Sequence, residues 1–162
     1  MVDIQTISIA VASTSVTVAA IYYMWQIRHQ RRLRKTDLVL RLASTYESKE
    51  YSEALIRVLA YQYKDYDDFV EKYGQVPSVN PDQIAFRMIC TFYEQLGMLV
   101  ARKLVEPDLV YDLFPAEMLW QKVKPIVEGV RKHFDEPRLL TWFEYLYNEM
   151  KKRKQQVASK TA

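Results

Sequence analysis

Between Asp3 and Arg28 the chain carries 24 consecutive residues without a formal charge, Ile4 to Ile27. As a helix this run is about 36 Å long at 1.5 Å per residue, more than the hydrocarbon thickness of a bilayer. Tyr22, Tyr23 and Trp25 close it, and Arg28, Arg31, Arg32, Arg34 and Lys35 follow at once. Aromatic rings favour the headgroup level, and basic residues favour the cytoplasmic side of a span. The order apolar run, aromatic belt, basic cluster therefore predicts a single-pass protein of the cell membrane, its N-terminus outside and everything after Arg28 in the cytoplasm. A cleaved signal peptide has the reverse order, basic residues first and a small-residue cleavage site after the apolar stretch. The Ser and Thr content leaves a buried core helix as the competing reading, although these side chains also return hydrogen bonds to a helix backbone inside a membrane.

The net charge of +3 conceals a segregation. Up to Lys35 there are five basic residues against one acid; from Thr36 to Glu149 there are 13 basic and 19 acidic; beyond Glu149 there are five basic and none acidic. A nucleic-acid face needs its positive charge on the folded body, and here the body is acidic, so no nucleic-acid partner is expected. The five basic residues at 28 to 35 are instead expected at the surface of the lipid bilayer.

The rest of the chain reads as helical. No stretch alternates with period two, and no Asn-Gly or Asp-Gly hairpin turn occurs. Asp37 is placed to cap a segment to about Tyr46 that either continues from the membrane helix or bends off it, and Tyr51, Leu55, Val58 and Gln62 mark one face of the next helix. An acidic turn over Lys64 to Asp68 precedes a short helix to Gly74. Asn80 with Gln83 forms a capping-box pattern and Pro81 takes the first helical position, so a long helix starts there. From Ile84 to Val105 it is apolar on nearly every side apart from a stripe of Arg87, Thr91, Glu94, Gln95 and Arg102, which predicts a central position. Pro107 and Pro115 open further helices. Leu119, Val123, Ile126, Val130 and Phe134 form the stripe of the second, which Pro125 is expected to kink or divide. Asp135 before Pro137 reads as the start of the last helix, with Leu139, Trp142, Phe143, Leu146 and Met150 facing the core. The fold class is thus all-α: residues 1–35 a transmembrane helix with a basic juxtamembrane segment, residues 36–155 a compact cytoplasmic bundle of five to seven helices, and residues 156–162 a flexible tail.

With 2 His and 1 Cys, soft metal ligands are scarce, and neither His29 nor His133 has a partner at ligand spacing. No cofactor, metal or catalytic residue is expected, and phosphate-loop, zinc-hydrolase and nucleophile-elbow motifs are absent from the sequence. Cys90 lies on the most apolar helix and reads as an inert core thiol. Gly97 and Gly129, inside helical runs, read as close helix contacts. Glu94 among Phe92, Tyr93, Leu96 and Met98, and Arg131 after an apolar stripe, are candidates for a buried ion pair or a ligand contact.

The basic juxtamembrane segment is followed by Phe92-Tyr93-Glu94-Gln95-Leu96-Gly97 and Lys103-Leu104-Val105-Glu106-Pro107-Asp108-Leu109-Val110. Trp120, Pro125-Ile126-Val127, Arg131, Pro137 and Phe143-Glu144-Tyr145-Leu146 come next. Over about Thr36 to Lys152 this order resembles the DUF4760 family of prokaryotic proteins. The resemblance implies an N-terminal membrane helix followed by a helical domain, with Glu94, Trp120, Arg131 and Glu144 on the family pattern as interaction or ligand positions, and it implies no activity. The expected function is therefore non-catalytic: an accessory subunit or adaptor of a membrane complex, with a protein partner or a second copy of the chain. A membrane-tethered small-ligand sensor or enzyme, with a polar pocket near Glu94 and Arg131, is the alternative.

Overall fold

A computed structural model describes residues 3–161, apart from the side chains of residues 4–13, 31, 32, 34, 36, 158, 160 and 161. Among the described residues there are seven α-helices and no strand: α1 Ile4–Tyr46, α2 Lys49–Leu59, α3 Tyr66–Tyr73, α4 Pro81–Ala101, α5 Pro107–Leu113, α6 Ala116–Phe134 and α7 Thr141–Thr161. The chain divides into two units at Arg41, within α1.

In the first unit α1 runs without a break through the uncharged stretch and the basic cluster. Val16, Val18, Ile21, Tyr22, Tyr23, Met24, Trp25 and Ile27 are all exposed. Consecutive positions from 21 to 25 step right round a helix, so this segment has no inward face.

The second unit is built on α4. Asn80 supplies the expected cap, its Oδ1 accepting from the Gln83 N–H at 2.8 Å, with Pro81 behind it at the first helical position. Ala85, Phe86, Ile89, Phe92, Tyr93, Leu96 and Val100 are buried, and α4 packs between α2 and α7. By length and composition it is also the one helix among the described residues able to cross a membrane, yet half of its apolar window is already covered by the domain. Tyr51, Ala54 and Val58 form the buried face of α2, while Gln62 falls beyond the helix end and is exposed.

Two glycines set the helix spacing, as their positions suggested. A Cβ on Gly97 would lie 2.6 Å from the Trp142 carbonyl carbon, so α4 and α7 meet backbone to backbone. One on Gly129 would strike the Tyr66 ring, where α6 meets α3.

Three expectations are corrected. Asp37 does not cap a new helix: it lies inside the unbroken α1, its Oδ2 accepting from Arg41 Nε at 3.0 Å. Pro125 does not divide α6, which continues from Ala116 to Phe134. Its ring faces solvent, as does Gln121, whose carbonyl is the one that the missing N–H leaves without a helical partner. Asp135 does not start the last helix: it ends α6 in the left-handed conformation (φ 51°), which a short polar side chain tolerates. The last helix begins instead at Thr141 and runs to Thr161. Arg153 with Asp108, and Lys154 with Glu117 at 3.2 Å, join its basic half to α5 and α6.

Candidate functional site

The N-terminus of α7 lacks a cap of its own. Leu140 occupies the cap position, its carbonyl accepting the Glu144 N–H at 3.2 Å, but its side chain has no acceptor and its φ is +55°. A bulky residue in that region is strained and persists only where its surroundings hold it. Two other helices do so.

Glu94 reaches across from α4, its Oε2 accepting the Phe143 N–H at 2.7 Å. Phe143 is the third residue of α7, so this carboxylate takes the role an Asn or Asp cap would have, and its charge suits the positive end of the helix. Arg131 reaches across from α6. Its Nε donates to the Leu139 carbonyl at 2.9 Å and its Nη1 pairs with Glu144 at 2.8 Å, while Nη2 is buried with no hydrogen-bond partner. Trp120, fully buried, sets its ring edge against Phe143 at 5.0 Å, and Phe143 stacks on Tyr93 at 4.8 Å. Glu94, Trp120, Arg131 and Glu144 thus converge on one turn. Glu94 and Arg131 do not pair with each other: the acid takes a backbone N–H, and the base takes Glu144.

Beside this turn lies a cavity of about 180 Å³, walled by the 76–78 loop, by Phe86 and Cys90 of α4, and by Leu139 and Leu140. Gln83 lines it and is 2% exposed. Burial pushes the Cys90 thiol well above its usual range, with the Glu94 carboxylate adding to the effect, so it is held as an unreactive SH. Arg87 also lines it and is exposed, with no ion-pair partner among the described residues. The sequence pointed to Glu94 and Arg131 but not to Gln83 or Ser78. The signal for Gln83 was there: it shares one face of α4 with Phe86 and Cys90 at helical spacing.

His29 stacks on Trp25 in the first unit, and His133 is exposed with its Nε2 2.9 Å from Gln75 Nε2. Of the expected membrane-surface residues, Arg28 and Lys35 are exposed, while the side chains of Arg31, Arg32 and Arg34 lie outside the described residues. No group of three or more His, Cys, Asp or Glu side chains among the described residues is placed to hold a metal ion.

A family model described as Domain of unknown function (DUF4760) matches residues 11–150, which includes most of α1 as well as the bundle. No curated protein and no solved structure matches the chain.

Proposed function

The chain belongs to the DUF4760 family, and from that premise we propose that it is a single-pass membrane protein whose cytoplasmic helical domain works by binding, as an accessory subunit or adaptor of a membrane complex. The observation that carries this reading is the character of α1: an unbroken helix whose apolar side chains from Val16 to Ile27 are exposed on every side and end at a basic cluster. So much exposed apolar surface calls for a cover, and an uncharged run of this length suits lipid. The basic residues at 28 to 35 then lie against anionic headgroups, each contributing on the order of 1 kcal/mol.

The non-catalytic part of the reading is supported by the use made of the polar residues. Glu94, Arg131 and Glu144 are committed to holding α7 in place. A domain secured in this way offers a rigid surface for a partner, whether another protein or a second copy of the chain.

The test is topological. With a reporter on the C-terminus, changing Arg28, Arg31, Arg32 and Arg34 to Glu should lower the cytoplasmic signal or the inserted fraction several-fold, because the orienting charge has been reversed. A variant that remains fully inserted with its reporter in the cytoplasm would remove the charge argument.

A further inference from the structure

Five basic residues follow Glu149 with no acid among them, and the structure gives this run no part in the core. Met150 is the last buried residue of α7; of the described side chains beyond it, all are exposed except Arg153, which is partly covered. From Lys151 to Thr161 the helix rises about 16 Å, and Val157 is its one large apolar side chain. A helical segment that neither packs nor presents an apolar stripe is notable for its charge alone.

The place where this run leaves the bundle is fixed by its contacts. Arg153 pairs with Asp108 of α5 and Lys154 with Glu117 of α6 at 3.2 Å, and Lys154 shares a shallow depression with Phe114, Pro115 and Met150. Phe114 in turn meets Tyr46, the last residue of α1, edge to face at 5.0 Å. The basic run therefore leaves the bundle at the end where the chain enters it, although Tyr46 and Lys154 are far apart in sequence. Between Lys35, the last base of the juxtamembrane cluster, and Tyr46 even a fully extended chain covers no more than about 40 Å. As helix the same stretch rises about 16 Å, the reach of the basic run itself.

The charge of the run is available to a partner. Lys152 pairs with Glu149 at 2.7 Å, and this pair and the two above lie at the surface, where such pairs contribute little and exchange with other anions. Lys151 is exposed and in no ion pair among the described residues. A protein partner takes its grip from apolar anchors, and the run has none beyond Val157. Nucleic acid would meet the acidic body. An anionic bilayer asks only for clustered Lys and Arg held next to its headgroups.

We propose that the basic end of α7, Lys151, Lys152, Arg153 and Lys154, is a second membrane contact of this chain and binds anionic lipid headgroups. The proposal rests on the reading of α1 as a membrane anchor. The bundle is then held at two points instead of hanging from α1 alone.

A single fluorophore at Gln156→Cys tests this, because the native Cys90 is buried and unreactive. The labelled full-length chain is reconstituted into vesicles of phosphatidylcholine, or of phosphatidylcholine and phosphatidylglycerol in equal parts, each with a trace of lipid carrying a nitroxide on its headgroup. Quenching should be about fivefold greater in the anionic vesicles. The combined variant Lys151→Gln, Lys152→Gln and Lys154→Gln, all at exposed positions, should return it to the neutral-lipid level. Salt at about 1 M, which screens charges beyond about 3 Å, should do the same. A label at Lys132→Cys, at the other end of α6 from Glu117, should be quenched equally in both lipids. Equal quenching at position 156 in the two lipids would overturn the proposal and leave the anchor standing, as would undiminished quenching in the lysine variant. A chain that alkaline carbonate strips from both kinds of vesicle would overturn the anchor, and this proposal with it.

Discussion

Replacing Trp120 by alanine should lower the thermal midpoint of the chain by about 10 °C. Trp120 is 1% exposed, and its ring lies against Phe143 and Tyr147. Truncating a buried Trp costs about 3–5 kcal/mol, and for a chain of this size each kcal/mol moves the midpoint by about 2–4 °C. The loss should also be local in character. Phe143 is the residue whose N–H Glu94 caps, so removing its neighbour loosens the turn that Glu94 and Arg131 secure. Trp142 supplies the internal control: it is 39% exposed, and its replacement by alanine should cost under about 1 kcal/mol. Thermal scans of the two variants in the same detergent, followed by circular dichroism, decide it. Equal midpoints for the two variants would mean that the α7 junction is not where the domain gets its cohesion.

The second large effect is at Gly97, where the sign itself is informative. Alanine is the better helix former by about 1 kcal/mol, so helix propensity alone predicts that Gly97→Ala stabilises the chain. The structure predicts the opposite. The added Cβ would meet the Trp142 carbonyl and approach the Leu146 Cβ at 3.3 Å, and a backbone carbonyl cannot swing aside as a side chain does. Accommodating it requires α4 and α7 to separate, at a cost of about 2–3 kcal/mol, or a fall of about 5–10 °C in the midpoint. A midpoint at or above that of the wild type would show that the two helices are not in backbone contact.

What the sequence allowed to be read, and what it did not, follows from the range of the forces involved. The start of α4 was legible because Asn80, Pro81 and Gln83 act on one another within a single turn. Gly97 and Gly129 were legible as close contacts because a helix interior tolerates glycine at a cost and therefore needs a reason for it. The start of α7 was not legible. Its cap comes from Glu94, 49 positions earlier in the chain, and its nominal cap residue, Leu140, contributes only a carbonyl. Reading Asp135 as a helix start followed from the local preference of Asp for caps, but a left-handed backbone at the end of α6 uses the same residue for the opposite purpose. The candidate residues show the same division. Glu94 and Arg131 stood out as polar groups among apolar neighbours, yet their partners were set by how α4 and α6 flank α7. Gln83 looked like half of a capping box; the structure turns its side-chain amide towards the end of α3 instead, where its nitrogen donates to the Tyr73 and Gly74 carbonyls.

The basic and apolar N-terminal segment and the acidic bundle have one direct joint test: the mass and composition of the complex that contains this chain after gentle detergent extraction from its native membrane. A membrane-anchored interaction domain predicts that the chain is released only by detergent and travels with a second component at fixed ratio, another protein or further copies of itself. A monomer recovered from the soluble fraction before detergent is added would contradict both the anchor and the partner.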